Sequence, residues 1–306
     1  MWETFARQEV EVPRVNAFVA KDSQLDEAEF VHPLIPLPTP QVRASTNKGR
    51  RRANELSGSE WIRHSVSIWS DISRTVEERS MKHPAAFPEM LVDRILSCFL
   101  HGPDKLVLDP FAGTATTLAA AIKRGHRAIG FELYDEFVRI ARERLADSAS
   151  RAQIIHGNAL AIPEVLLPNS VDLVMTSPPY WNIHSRRRSA DGKVRRPYGQ
   201  HQADLGNIDD YDVFLDMLTA VMAGVGTVLK SGSYCIVNIM DIRVKNKFFP
   251  LHSDLYTCLE TVGFELDDII VWDRRRDYNN LKPLGYPYRF RINRVHEYLL
   301  IFRVSA

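Results

Sequence analysis

The sequence of 306 residues contains little of what several large protein classes require. Its three cysteines, Cys98, Cys235 and Cys258, lie far apart and form no CxxC pair, which argues against a disulfide framework and against a zinc site built on cysteine. The ten histidines show neither HxxH nor HxxxH spacing, so no metal site is expected. No run of about 18 uninterrupted apolar residues occurs, so no transmembrane helix is predicted.

The first residues, MWETFARQEVEV, lack the charged-then-apolar pattern of a signal peptide, and we expect a protein of the reducing cytoplasm. Hydrophobic residues make up 45% and charged residues 25% of the chain, as in an ordinary folded domain. Residues 1–58 are rich in proline and basic residues and predict an irregular N-terminal arm. Residues 59–306 are expected to form one large domain.

Positive charge is concentrated, although the formal net charge is only +1. The windows 42–53, 181–200 and 271–296 each carry a local net charge of +5 on an otherwise acidic chain. Clustered arginine indicates phosphate contact, while a single basic run is equally typical of a solvated loop.

From about residue 87 the sequence alternates between amphipathic helical segments and short apolar strands, among them KLVLD, HRAIGFE and VDLVMTS. Such alternation predicts an α/β fold with a Rossmann-like, doubly wound, mostly parallel sheet, which binds ligands at the carboxyl ends of its strands. We count seven strands. The last two have no helix between them, so the seventh is expected to run antiparallel.

A tight turn follows the first strand of this unit, in the segment DPFAGTATT, residues 109–117. Gly113 permits close approach to backbone N–H groups, and the helix that begins there favours a negative ligand group. Glu132 lies at the end of the second strand, where an acidic residue holds a ribose diol. Taken alone, Glu132 is also typical of a surface carboxylate at the end of a strand. Taken together with the turn at Gly113, it predicts a site for a nucleoside cofactor. The residues assigned to this site are Asp109, Phe111, Gly113, Thr114, Thr116 and Glu132.

The tetrapeptide Ser177-Pro178-Pro179-Tyr180 follows the fourth strand. Two consecutive prolines fix the backbone and remove two N–H donors, which presents a hydroxyl, a carbonyl and an aromatic ring together. A planar base can stack on Tyr180 while its amino group donates to the Ser177 hydroxyl and the Pro178 carbonyl. The same letters also suit a plain turn, but the neighbouring ribose site favours a catalytic role.

With these motifs in this order, the chain resembles the DNA amino-methyltransferases that depend on S-adenosylmethionine, and thus the class I methyltransferase fold. The likeness spans residues 60–303 and includes EWIRHSVSIW, KHPAAFPEMLVDRIL, HGNAL and HEYLLIFR. The resemblance adds His83, Asn158 and Ala159 to the cofactor contacts. Ala115 stands where the family usually has a second glycine, and we expect this departure to cost little because alanine suits a helix start.

The resemblance implies transfer of a methyl group to the exocyclic amino nitrogen of a flipped base. In the family, Ser-Pro-Pro-Tyr is associated mostly with cytosine N4, so this is the expected target, with adenine N6 as the alternative. Cytosine C5 chemistry needs a cysteine nucleophile, whereas all three cysteines fall on apolar faces. Methylation of RNA or protein and a catalytically silent DNA-binding subunit stay as further alternatives.

Two basic loops, at about 182–207 and 273–294, are expected to clamp duplex DNA, with arginine at guanine edges or phosphates. The assigned residues are Arg186, Arg187, Arg188, Arg195, Arg196, Arg274, Arg275 and Arg276. The implied setting is the cytoplasm of a prokaryotic or phage-infected cell, at the nucleoid and without a membrane. A cognate restriction endonuclease, and the choice between monomer and homodimer, are left open.

Overall fold

A mixed eight-stranded sheet forms the centre of the computed structural model, which describes residues 52–75, 78, 87–183, 199–277 and 281–304. The strands are β1 Ile68–Trp69, β2 Leu106–Asp109, β3 Arg127–Glu132, β4 Ala152–His156, β5 Val171–Thr176, β6 Leu229–Ile239, β7 Ile242–Val244, β8 Lys247–Phe249, β9 Phe264–Asp273 and β10 His296–Val304. The helices are α1 Gly58–His64, α2 Glu89–Phe99, α3 Thr116–Lys123, α4 Asp135–Leu145, α5 Ile162–Val165, α6 Tyr211–Val228 and α7 Leu251–Glu260.

The strand order is β1-β9-β10-β6-β5-β2-β3-β4. Strands β2 to β6 pair in parallel, whereas β10 runs antiparallel to both β6 and β9. The predicted α/β class with an antiparallel last strand is therefore confirmed. The predicted count of seven strands is too low, because the two-residue strand β1 adds to the edge beside β9 and is too short to show a period.

A separate two-stranded hairpin, β7–β8, also lacks a sequence signal, because its segment IRVKNKFF has no strict apolar alternation. Most of the predicted arm, residues 1–51, lies outside the described residues. The proposed domain boundary at residue 58 therefore stays a prediction.

The strands are covered on both faces, as their near-continuous apolar runs indicate. Successive residues such as Val107 and Leu108 belong to opposite clusters, because side chains alternate along a strand. One cluster includes residues of α5, α6 and α7, and the other includes residues of α2, α3 and α4. Burial of each large apolar side chain contributes about 1.5–3 kcal/mol, so the two layers stabilise the sheet.

Helix α6 begins where the sequence predicts, because the Asp210 side chain accepts hydrogen bonds from the N–H groups of Asp212 and Val213. By length and composition alone this helix is apolar enough to cross a membrane. Its apolar face, which includes Phe214 and Leu218, is instead buried in the core of the described domain.

Topology brings the ends of several strands to one edge. The carboxyl ends of parallel β2, β3, β5 and β6 lie there, and the antiparallel β10 starts there, with Tyr298 opposite Ile239. Residues that end β2, β3 and β5, together with the first residues of β10, are therefore neighbours across the sheet.

The turn after β2 packs directly on β3 at Gly130. A Cβ built on Gly130 would lie 2.6 Å from the Cβ of Ala112 and 2.9 Å from Cδ1 of Leu118. Only a glycine at this position lets the turn and helix α3 approach the sheet this closely.

We therefore expect Gly130→Ala to lower the free energy of unfolding by about 1–3 kcal/mol, because the turn and α3 must shift to admit the methyl group. Denaturant unfolding monitored by tryptophan fluorescence measures the change. Gly157→Ala is the matched control, since a Cβ there meets no atom within 4 Å. Equal stability of the two variants would contradict the close packing at Gly130.

Candidate active site

Asp109 ties the two predicted motifs together. Its side chain is buried at 1% exposure and accepts hydrogen bonds from the Phe111 N–H at 3.1 Å and the Thr117 hydroxyl at 2.6 Å. It also accepts from the hydroxyl of Thr176 at 2.7 Å, and Thr176 directly precedes Ser177. Burial raises the pKa of Asp109 to about 6, while these three donors oppose the rise. In this structure the carboxylate thus organises the turn and joins it to the tetrapeptide.

The turn itself is bent by two residues with positive φ, Gly113 at 52° and Ala115 at 63°. Ala115 lies in the left-handed region at the N-cap of α3, where an L side chain costs about 1–2 kcal/mol. The expectation that alanine costs little here is therefore wrong. The backbone has the conformation that the glycine usual in the resembling family adopts freely.

Glu132 lies beside this turn at the end of β3. One carboxylate oxygen accepts the N–H of Gly113 at 2.9 Å, and the other accepts the N–H of Tyr134 at 2.9 Å. Desolvation raises the pKa of Glu132 to about 7, against these backbone donors and with a smaller contribution from the charge of Asp109. Each carboxylate oxygen has a further lone pair, so the group can accept two hydroxyl donors of a diol.

Arg144, which was not predicted from the sequence, contacts two threonines of the turn. Arg144 donates to the Thr114 carbonyl at 3.1 Å and to the Thr116 hydroxyl at 3.2 Å, and it pairs with Glu89 at 3.2 Å. Nothing distinguishes Arg144 in sequence from the other arginines of helix α4. The buried hydroxyl of Thr114 has no hydrogen-bond partner among the described residues, which fits a polar atom of a bound ligand.

The remaining predicted cofactor residues lie in different situations. Phe111 is partly buried against the core cluster on the α6 side. Asn158 follows β4, and its side-chain oxygen accepts the N–H of Leu160 at 3.0 Å, which fixes the orientation of the amide. Ala159 is buried in the same core. His83 lies outside the described residues.

The tetrapeptide directly follows β5, with Pro178 buried and Ser177, Pro179 and Tyr180 partly buried. The hydroxyl oxygens of Ser177 and Tyr180 are 3.0 Å apart. Burial and the nearby carboxylate of Glu297 raise the pKa of Tyr180 well above its ordinary value, so this hydroxyl keeps its proton.

Two further polar side chains, Glu297 and Asn238, contact the Tyr180 hydroxyl. It donates to Oε2 of Glu297 at 2.9 Å and accepts from Nδ2 of Asn238 at 3.0 Å. Nδ2 of Asn238 also donates to Oε2 of Glu297 at 2.5 Å. The other oxygen of Glu297 pairs with Arg274. The predicted catalytic tetrapeptide thus lies at one end of a buried polar network.

Asn238 and Glu297 were not identified from the sequence, although a signal was present. Each is a polar residue inside an otherwise apolar strand, in CIVNIM and HEYLLIF, and they are 1% and 4% exposed. Buried polar residues of this kind need partners, and here they partner each other. Arg274, which was predicted to contact DNA, turns inward to Glu297 instead, with its guanidinium 4.7 Å from the ring centre of Trp272.

The first predicted recognition loop is anchored near the site at both described ends. Trp181 follows the tetrapeptide with φ of 51° and packs its ring 4.9 Å from that of Phe249. At the other end, the Tyr134 hydroxyl donates to Asp204 at 2.6 Å. Arg186, Arg187, Arg188, Arg195 and Arg196 lie outside the described residues.

The second predicted recognition loop exposes aromatic side chains. Tyr286, Tyr288, Phe290 and Ile292 occupy alternate positions, and Tyr288 and Phe290 are 95% and 94% exposed. Folded proteins rarely expose several large apolar groups together unless the groups meet a partner.

Two arginines of this segment, Arg291 and Arg294, help to attach the loop to the β7–β8 hairpin. Arg291 donates to the Lys245 carbonyl at 3.1 Å, and the guanidinium of Arg294 lies 4.5 Å from the ring centre of Phe248. Earlier in the loop, Arg275 is exposed and pairs with Asp273 at 2.6 Å, and Arg276 is exposed.

The cysteines occupy packing positions. Cys235 is fully buried in β6, and burial raises the pKa of its thiol above the ordinary value. Cys98 and Cys258 are partly buried, with burial raising the pKa of Cys98 to about 11. A reactive cysteine needs a lowered pKa, so none of the three has the environment of a nucleophile.

Comparison with known proteins identifies relatives of this chain. Type II methyltransferase M2.DpnII of Streptococcus pneumoniae is 38% identical over 79 residues, which cover 26% of this chain and 29% of the relative. DNA adenine methyltransferase YhdJ of Escherichia coli strain K12 is 43% identical over 63 residues, which cover 21% of each chain. The matched segments span less than a third of the length of these relatives.

Among solved structures, TTHA0409 of Thermus thermophilus, complexed with S-adenosyl-L-methionine, is 29% identical with a TM-score of 0.36, over 49% of this chain and 54% of that chain. TrmN of Thermus thermophilus is 16% identical with a TM-score of 0.43, over 71% of this chain and 48% of that chain. Since both TM-scores are low, the fold assignment rests on the strand order described above.

A family model for N6/N4-type enzymes, described as DNA methylase, matches residues 20–143 and 171–306. These two segments contain the turn with Asp109 and Gly113, the carboxylate of Glu132 and the tetrapeptide that begins at Ser177. The match covers most of the chain, and S-adenosylmethionine is the cofactor of this family. The protein therefore belongs to the N6/N4 family of DNA methylases.

Proposed function

We propose that this protein is a site-specific DNA methyltransferase that transfers the methyl group of S-adenosylmethionine to the N4 amino nitrogen of a cytosine flipped out of duplex DNA. The observation that carries the proposal is the link through Asp109. This buried carboxylate binds both the turn beside Glu132 and Thr176, the last residue of β5, which directly precedes Ser177. A nucleoside cofactor and a base amine are thereby held next to each other, which proximity catalysis requires.

The residues at the turn fit the nucleoside part of the cofactor. The Glu132 carboxylate would accept hydrogen bonds from the two ribose hydroxyls, and the Thr114 hydroxyl, which has no partner among the described residues, would be available to a polar group of the ligand. The N-terminus of α3 favours a negative group near the turn. The bound cofactor supplies an electrophilic methyl group on a sulfonium centre.

At the tetrapeptide, the chain prepares the amine. An exocyclic amine is a poor nucleophile because its lone pair is delocalised into the ring. The Ser177 hydroxyl oxygen and the Pro178 carbonyl accept its two N–H bonds, which favours a tetrahedral nitrogen and localises the lone pair. The ring of Tyr180 stacks on the flipped base and offsets part of the few kcal/mol needed to unstack it. After methyl transfer the amine nitrogen is cationic and loses its proton to water, so no strong general base is needed.

The choice of cytosine over adenine rests on Ser177, since Ser-Pro-Pro-Tyr is mostly associated with cytosine N4 in the resembling family. Adenine N6 is the second candidate, and the similarity to a relative named as a DNA adenine methyltransferase favours it. Either base presents an amino group that can donate to the same two oxygens, so the geometry of the site suits both.

The exposed loop at 281–294 supports a DNA surface that uses aromatic stacking as well as charge. Arg291 and Arg294 attach the loop to the hairpin, and Tyr288 and Phe290 are almost fully exposed to solvent. Aromatic rings stack on bases of any sequence, and exposed Arg275 and Arg276 can meet phosphates.

The cellular setting is part of the same proposal. Relatives named type II methyltransferases support a role in restriction-modification in the cytoplasm, with duplex DNA as the partner. A cognate restriction endonuclease is the natural further partner in such a system.

Nucleoside mass spectrometry of DNA from cells that express the protein tests the reaction. We expect N4-methylcytosine in cells with the intact protein and none with Ser177→Ala, because that variant loses one acceptor for the amine. N6-methyladenine in place of N4-methylcytosine would move the target to adenine. The absence of any modified base would contradict DNA methylation.

The affinity for S-adenosylmethionine is expected to rise with pH through the pKa of Glu132 at about 7, because the ionised carboxylate accepts both ribose hydroxyls. If only the ionised form binds, affinity grows about tenfold between pH 6 and pH 8. Titration calorimetry measures it, and Glu132→Gln is the control that reports titration of the ligand itself. A wild-type pH dependence equal to that of Glu132→Gln would contradict the assignment.

The same pKa predicts the pH dependence of stability. The unfolded carboxyl releases its proton near 4.5, whereas the folded one retains it up to about 7. The folded state therefore binds more protons in this window, and the Glu132 contribution to the free energy of unfolding falls as pH rises through it.

Stacking and charge on the recognition loop have different signatures in DNA binding. We expect Tyr288→Ala and Phe290→Ala each to weaken binding about 5- to 150-fold with an unchanged salt dependence. Replacing Arg275, Arg276 or the run Arg186–Arg188 by alanine should instead reduce the slope of log K against log salt by about 0.9 for each phosphate that is no longer neutralised. Fluorescence anisotropy with duplex DNA at several salt concentrations separates the two, and unchanged affinity in the aromatic variants would exclude stacking.

A further inference from the structure

The hydrogen bonds around Tyr180 determine which way the Ser177 hydroxyl points. A carboxylate only accepts hydrogen bonds, so the single hydroxyl hydrogen of Tyr180 is committed to Glu297 at 2.9 Å. The Tyr180 oxygen then has only lone pairs left for its other neighbours. Because the Ser177 oxygen lies 3.0 Å away, Ser177 must be the donor in that contact.

The consequence appears on the other side of Ser177. With its hydrogen directed to Tyr180, the Ser177 oxygen presents only lone pairs to its remaining surroundings. An amino group of a base is a donor, and it binds an oxygen that accepts. A Ser177 hydroxyl that pointed outward would meet the amine hydrogen to hydrogen.

We propose that Glu297 is a positioning residue that, through Tyr180, sets Ser177 as the hydrogen-bond acceptor for the base amine. The proposal rests on the amino-methyl transfer proposed above and adds the group that prepares its acceptor. Glu297 does not touch the base; it acts through the tyrosine hydroxyl.

Asn238 reinforces this polarity. Its Nδ2 group lies 2.5 Å from the Glu297 carboxylate and 3.0 Å from the Tyr180 oxygen. The carboxylate therefore keeps the nitrogen of the amide, rather than its oxygen, on the side of Tyr180. The second lone pair of the Tyr180 oxygen is thereby occupied. The tyrosine oxygen donates once and accepts twice, which completes its hydrogen bonding.

Arg274 determines what happens when the carboxylate is replaced by an amide. It pairs with the Glu297 oxygen that faces away from Tyr180, and a guanidinium only donates. In a Glu297→Gln variant, Arg274 would bind the amide oxygen, which turns the amide NH₂ toward Tyr180. The tyrosine oxygen would then accept from the amide, and its hydrogen would turn to Ser177. The Ser177 hydrogen would be driven toward the base.

A variant that reverses the direction of the hydrogen bonds to Ser177 should therefore slow methyl transfer more than a variant that removes the Tyr180 hydroxyl. Tyr180→Phe retains a ring for stacking but removes the hydroxyl, so the Ser177 hydroxyl can rotate and still accept from the amine. Glu297→Gln forces the wrong orientation instead. Because the effect of Glu297 passes through Tyr180, removing the tyrosine hydroxyl should relieve the damage that the glutamine causes.

The test measures single-turnover methyl transfer from labelled S-adenosylmethionine to unmethylated genomic DNA, with all enzymes saturated in both substrates. Relative to the wild type, we expect about a 100-fold slower rate constant for Glu297→Gln, comparable to the loss of one electrostatic contact at a reacting centre. For Tyr180→Phe and for the double variant we expect about a tenfold loss. The double variant is thus about tenfold faster than Glu297→Gln alone, a non-additive result that marks coupling.

The affinity for S-adenosylmethionine separates the positioning role of Glu297 from a merely structural one. Calorimetry with S-adenosylmethionine should give dissociation constants within about twofold of wild type for all three variants, since none touches the cofactor turn. Loss of activity in Glu297→Gln that persists or deepens in the Tyr180→Phe background would overturn the proposal, and so would an unchanged rate in Glu297→Gln.

Two further outcomes have clear readings. If Glu297→Gln does not fold, Tyr180→Phe decides alone: a loss as large as that of Ser177→Ala would mean that Tyr180 has a direct role and would reject the relay. A wild-type enzyme that binds cofactor yet methylates no DNA would overturn the proposed function, whereas wild-type transfer without rescue in the double variant would overturn only the role of Glu297.

Discussion

The structure depends on one buried carboxylate. Asp109 ends the strand β2, and its two oxygens hold the turn that follows and, through Thr176, the neighbouring strand β5. An unpaired charge in this position would be costly, and three donors make it tolerable while fixing the geometry around it. The predicted cofactor turn and the strand end that precedes the predicted catalytic tetrapeptide are therefore held by the same hydrogen-bond cluster.

A second polar cluster lies where β6 and β10 meet this edge. Glu297, Asn238 and Arg274 place charge and hydrogen bonds inside an otherwise apolar part of the sheet. Such clusters contribute little to stability compared with apolar packing, but each member fixes the orientation of the next. In the positioning role that we propose for Glu297, this cluster directs the hydroxyls of Tyr180 and Ser177.

Much of this could be predicted because it is local. The turn after Asp109, the acid at Glu132 and the tetrapeptide at Ser177 are read from residue types and spacing, and alternating apolar runs indicate the α/β class. The short strand β1 and hairpin β7–β8 carry too few residues to show a period. Ala115 was expected to fit a helix start at little cost, but its backbone is left-handed, and the residue type gives no sign of that conformation.

The sequence by itself determined the alternation of helices and main strands along the chain, the turn after Asp109 and the tetrapeptide, because these follow from short-range patterns. Only the tertiary structure decided which distant residues meet. Glu297 lies 117 residues beyond Tyr180 and contacts it because β10 returns antiparallel beside β6. In the same way Arg274, which the sequence assigned to DNA contact, pairs with Glu297, 23 residues further on. Long-range pairing across a sheet has no local signal, since it depends on how the strands are ordered in space.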